Sequence, residues 1–170
     1  SGLPAQGLAA RAELAAQWMG RGFRAVKFAA AVASEGVIRE MAALRERLGP
    51  EPEILVDLHW RYSAAEAITL IRELEKYRLA LAEAPVASED IEGQARVAAA
   101  VDTPVGLGEE WRTVYEYLPR CERRAMDVIQ PEMGRTGITS FQRICTLAEA
   151  FHLRVMPHAS IGIGIFQAAS

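Results

Sequence analysis

Three short stretches decide how this chain is read: Val56-Asp57-Leu58-His59, Leu81-Ala82-Glu83-Ala84-Pro85 and Gly106-Leu107-Gly108-Glu109-Glu110-Trp111. Each carries an acid that closes an apolar run, and Asp57, Glu83 and Glu109 are spaced 26 residues apart. A repeat of that length holds one strand, one helix and two short loops. Carboxylates at equivalent points of successive repeats converge at one end of a parallel sheet. Three like charges gathered there repel unless a cation joins them, so the spacing predicts a divalent metal held by Asp57, Glu83 and Glu109.

Outward from this centre the pattern alternates. Helices are expected over Ala5–Gly20 (with Leu8, Leu14 and Trp18 on one inward face), Ser34–Leu48, Ser63–Tyr77, Ser88–Val101, Thr113–Arg124 and Ile138–Phe151, with a further one starting at Ile165. Between them lie short strands over Phe23–Ala29, Ile54–Asp57, Leu79–Glu83, Val105–Leu107, Val128–Gln130 and Arg154–Met156. Ser63 and Glu66 have the spacing of a capping box, and Ser88 is the expected N-cap of its helix. Alternating βα units without a hairpin signal argue for an α/β fold with a parallel sheet.

An open doubly wound sheet and a closed barrel share that alternation; the polar residues separate them. Lys27, Asp57, Glu83, Glu109, Glu132 and His158 are all expected at or just past strand C-termini, as in a ring, whereas an open sheet gathers its site at one switch point. The expectation is a (β/α)8 TIM-type barrel, here an incomplete one of about six to seven βα units. Residues 1–170 then form one barrel domain read as a fragment, without the closing strand.

Composition narrows the partners. The 170 residues carry a net charge of −3, with 51% hydrophobic and 24% charged residues, ordinary for a globular domain. That balance gives no attraction to nucleic acid or to an anionic membrane, and no apolar run has the length of a membrane span. No signal peptide is read at the start, and Cys121 and Cys145 lack metal-like spacing, so reduced structural thiols and a cytoplasmic location are expected.

His158, following Arg154-Val-Met-Pro157, is the expected general base. Glu132 ends the preceding strand and can orient and charge-stabilise its imidazole. His59 stands two residues past Asp57, so in an extended segment it faces the same side as that acid and places a proton donor beside the substrate. Lys27 sits on an otherwise apolar strand, where its ammonium must emerge among carboxylates or against an anionic substrate. Glu110 and Arg112 read as rim residues, and Ser160-Ile-Gly-Ile-Gly164 as a tight turn before a helix.

The ordered set Val56-Asp57, Glu83-Ala84-Pro85, Gly108-Glu109, Gln130-Pro131-Glu132 and Pro157-His158 resembles the barrel domain of the enolase superfamily, in its mandelate racemase/muconate lactonizing enzyme-like branch. The resemblance covers nearly the whole chain. It implies Mg2+ on Asp57, Glu83 and Glu109, a Glu132–His158 base dyad, and an N-terminal capping domain expected to lie outside this fragment. It also implies a small-molecule sugar-acid substrate and homo-oligomers of the full-length form. Two departures stand out. Most racemases and cycloisomerases of the branch carry Lys-x-Lys where this chain has Lys27-Phe28-Ala29, and the acid of the dyad is usually aspartate. Asp57-Leu58-His59 is similar instead to the Asp-x-His of galactonate and mannonate dehydratases, where that histidine protonates the departing hydroxyl. The implied activity is a Mg2+-dependent acid-sugar dehydratase using His158, Glu132, His59 and Lys27. A cycloisomerase or racemase of the same superfamily, and a non-catalytic truncated barrel, are the alternatives.

Overall fold

A computed structural model describes residues 7–159 together with Gly164 and Ala168. Six helices alternate with six strands: α1 Leu8–Gly20, β1 Ala25–Ala29, α2 Val37–Leu48, β2 Glu53–Asp57, α3 Ala64–Glu75, β3 Leu79–Glu83, α4 Ile91–Ala100, β4 Val105–Leu107, α5 Val114–Glu122, β5 Val128–Ile129, α6 Met133–Ala150 and β6 Arg154–Val155. All strand pairs are parallel, and the sheet order is β1-β2-β3-β4-β5-β6. A doubly wound sheet reverses its order at a switch point. This one never does, which is the progression of a TIM-type barrel wall, here six strands long.

The strands alternate as their sequence requires. In β2, Ile54 and Val56 are fully buried beneath the helices, while Leu55 and Asp57 point to the other face. The helix-side core joins Ile54, Val56, Ala82, Val105 and Ile129 to Met41, Leu44, Ile71, Leu74, Val97 and Ile144. Val37, Met41 and Leu44 of α2 face inward as their spacing predicts. The Ser63–Glu66 capping box forms, with Glu66 Oε2 accepting from the Ser63 backbone N–H at 2.9 Å. Among the described residues, no helix is long and apolar enough to cross a membrane.

Three sequence expectations need correction. The buried face of α1 is Arg11, Ala12 and Ala15, and Trp18 is 42% exposed. The reason is Arg11, whose Nε donates to Glu40 Oε1 at 2.7 Å and turns the small alanines toward α2, leaving Trp18 to pack edge-on against Phe23. Ser88 does not cap α4; Asp90 does, with Oδ1 accepting from Gly93 N at 2.8 Å. The backbone before it is held irregular because Gln94 Nε2 takes the carbonyls of Ala87 and Ser88. Finally, a first turn from Met133 precedes the expected helix; Gly137 at φ 68° breaks it from the main helix, which follows where the sequence places it, from Ile138. The turn Ser160–Gly164 and the helix from Ile165 fall outside the described residues, Gly164 and Ala168 apart, as does the chain before Gly7.

Candidate active site

The register of the parallel strands sets the site. Asp57 pairs with Glu83 across β2 and β3, and Glu83 pairs with Gly106 across β3 and β4, so both acids project from the same face at the same level. Lys27 corrects an expectation: it is not at or past a strand C-terminus but inside β1, two residues short of its end, opposite Leu55. Its length makes up the difference: Nζ reaches Glu83 Oε1 at 2.6 Å. Glu132 and His158 are bridged in parallel just beyond β5 and β6.

These side chains meet. Ligand atoms of Glu83, Glu109 and His158 all lie within 4.8 Å of one another. The His158 ring sits between two carboxylates, with Nδ1 2.8 Å from Glu132 Oε2 and Nε2 2.5 Å from Glu109 Oε2. The hydrogen bond to Glu109 is the main influence lifting the His158 pKa; burial opposes it, and Glu132 adds to the rise. Burial alone would raise the Glu109 carboxyl, but the His158 hydrogen bond and charge hold it below its ordinary value.

Asp57 behaves differently. Burial pushes its pKa up first, and repulsion from Glu83 adds to that. It therefore feels the other acids although it stands outside their 4.8 Å group. Its carboxylate is turned instead to accept the His59 backbone N–H at 2.9 Å. His59 itself corrects an expectation: the segment is not extended, because His59 and Trp60 have φ of 54° and 56°. The tight turn leaves the His59 ring half exposed, with Nδ1 3.7 Å from Asp57 Oδ2. So the turn, and not strand alternation, keeps His59 beside Asp57.

The donor set bears on which cation fits. Glu83 and Glu109 are buried acids, Asp57 is repelled by them, and the Lys27 ammonium is the cation bonded to Glu83. The carboxylate oxygens of Glu83 and Glu109, with Asp57 near enough to be repelled by them, suit a small hard divalent ion such as Mg2+, while the His158 nitrogen within the same 4.8 Å group is left for proton transfer.

Other residues do the positioning. Gly108, immediately before Glu109, has φ 127°, and its carbonyl accepts from the Tyr117 hydroxyl at 2.6 Å. Trp111 lies edge-on against Tyr117 and beneath the Arg120 guanidinium, 4.0 Å from its centroid. Arg120 also donates to Gln94 Oε1 and the Ser88 carbonyl, tying the loop after Glu83 to the loop after Glu109. Sequence reading passed over Tyr117 and Arg120, whose signal is a polar stripe on an amphipathic helix. A Cβ at Gly108 would meet the Tyr117 ring at 2.7 Å in a backbone region that side chains avoid. Gly108→Ala is therefore expected to cost about 1–3 kcal/mol of stability, read by urea denaturation.

With this geometry in view, comparison with known proteins gives the lineage. The family described as enolase C-terminal domain-like matches residues 10–170. The chain belongs to the enolase superfamily. An enolase-superfamily protein from Agrobacterium tumefaciens is 47% identical with a TM-score of 0.96, over 99% of this chain and 43% of that one. Among characterised relatives, a D-galactarolactone cycloisomerase from Agrobacterium fabrum is 34% identical over 88% of this chain, and a D-galactonate dehydratase from Cronobacter sakazakii 33% identical over 75%. The chain spans 39% and 34% of those two enolase-superfamily relatives.

Proposed function

We propose that this domain carries the proton-transfer machinery of a Mg2+-dependent acid-sugar dehydratase. The observation that carries the reading is the His158 imidazole, fixed by Glu132 on Nδ1 and presenting Nε2 to the space shared with Glu83 and Glu109. Asp57, Glu83 and Glu109 would hold the metal. Bound Mg2+ supplies positive charge that makes the hydrogen beside a substrate carboxylate acidic.

The chain's own residues then divide the work. His158 removes the α-proton at Nε2, exchanging its Glu109 partner for the substrate. Glu132 fixes the tautomer by accepting from Nδ1 and stabilises the imidazolium once the proton has arrived. Lys27 adds a positive charge beside Glu83, where negative charge grows on the substrate carboxylate. His59 gives its proton to the β-hydroxyl as the C–O bond breaks. The α-proton and the hydroxyl leave, water is lost, and the enol tautomerises to a 2-keto-3-deoxy acid.

His59 distinguishes this reading from cycloisomerisation. The Agrobacterium fabrum relative is named a cycloisomerase; on the rival reading this chain would isomerise its substrate with His158 alone. His59→Asn is expected to lower 2-keto acid formation about 10²–10⁴-fold while solvent deuterium still enters the α-position. Loss of exchange together with dehydration would remove His59 from the donor role.

A further inference from the structure

We infer that Gln130 is a positioning residue for Glu83, acting through a path across β4 that Gly106 keeps open. The inference rests on the reading of Glu83 as a metal ligand. Gln130 follows β5, Glu83 ends β3, and β4 lies between them. Neighbouring strands are spaced about 4.8 Å apart, so a side chain joining these two must cross the whole of β4. Gln130 does so: Nε2 donates to Glu83 Oε2 at 2.9 Å, in a hydrogen bond buried from solvent.

The residue beneath that crossing is Gly106, the register partner of Glu83. A Cβ there would stand 2.3 Å from Gln130 Oε1 and 2.9 Å from Cδ, inside both atoms. Any other residue would therefore displace the amide.

The amide is not placed for its own benefit. Gln130 is 2% exposed, and its Oε1 is buried with no hydrogen-bond partner among the described residues. Turning the amide over would aim Oε1 at the Glu83 carboxylate, so the donor orientation is electrostatically fixed. Glu83 is thereby held from two sides, by Lys27 on Oε1 and by Gln130 on Oε2. One holder is charged and the other neutral. The neutral donor fixes the carboxylate's direction while leaving more of its negative charge for a cation than a second lysine would.

Mn2+ binding, followed by the loss of the free-ion electron paramagnetic resonance signal, tests this without turnover. Gln130→Ala is expected to weaken Mn2+ binding about 10–100-fold, as loss of a residue orienting a metal ligand does. Gly106→Ala is expected to weaken it similarly when Gln130 is present, and to add little in the Gln130→Ala background, where the new methyl meets only the end of the Leu81 side chain, at 3.2 Å, which must give by a few tenths of an ångström. Thermal melts of each variant accompany the titrations. If Gln130→Ala lowers the melting temperature and leaves Mn2+ affinity unchanged, Gln130 is merely a packed amide and the inference is wrong. Additive losses from the two substitutions would overturn the shared path. Glu83→Gln separates the layers: Mn2+ binding that survives it at wild-type strength overturns the ligand reading and this inference with it.

Discussion

Replacing His158 by alanine is expected to lower turnover about 10²–10⁴-fold, the range a positioned general base contributes. The protein should stay folded, because His158 lies at the open end of the sheet and is only part-buried. The diagnostic readout is isotopic. If His158 removes the α-proton, the variant also stops exchanging that proton with solvent deuterium, whereas His59→Asn continues to exchange it. Glu132→Gln should fall between, since it keeps the shape of the group facing Nδ1 but removes the charge that stabilises the imidazolium. A His158→Ala protein that dehydrates its substrate at the wild-type rate would exclude the dyad.

The largest stability effect is expected far from this chemistry. Arg11 and Glu40 are each 2% exposed and meet at 2.7 Å, where Arg11 also donates to the Val32 carbonyl. Arg11→Met strands the Glu40 carboxylate in the interface between α1 and α2, which is expected to cost about 3–5 kcal/mol. Removing both charges, as Arg11→Met with Glu40→Leu, should restore most of that loss, because buried pairs are costly to break and cheap to replace. Urea denaturation of the two variants measures the difference. If the single substitution costs no more than the double, the pair is not the tie between the helices.

The sequence made the barrel wall and most of the candidate site legible for one physical reason. Strand C-termini are where a barrel places chemistry, so the acids marked strand ends and the strand ends marked the acids. Leu79–Glu83 and Val105–Leu107 were readable to the residue. The failures share a different cause, a tertiary partner that local pattern does not contain. Trp18 looked inward because it is apolar, but the Arg11–Glu40 pair sets the rotation of α1. Ser88 had the chemistry of an N-cap, but Gln94 and Arg120 claim its carbonyl. His59 was placed by strand alternation, yet a left-handed turn carries it. In sequence Gln130 is only part of Gln130-Pro131-Glu132; its reach across Gly106 depends on register between strands, which no single strand displays.

One relative is named a dehydratase and another a cycloisomerase, and dehydration loses water where isomerisation keeps the mass, so the product decides between them. The most direct measurement is product analysis after incubating the protein with Mg2+ and a panel of aldonic and aldaric acids, using semicarbazide to trap 2-keto acids. Dehydration through His158 and His59 predicts a 2-keto-3-deoxy acid whose yield disappears in His59→Asn. A cyclised or epimerised acid with no trapped keto acid would contradict it.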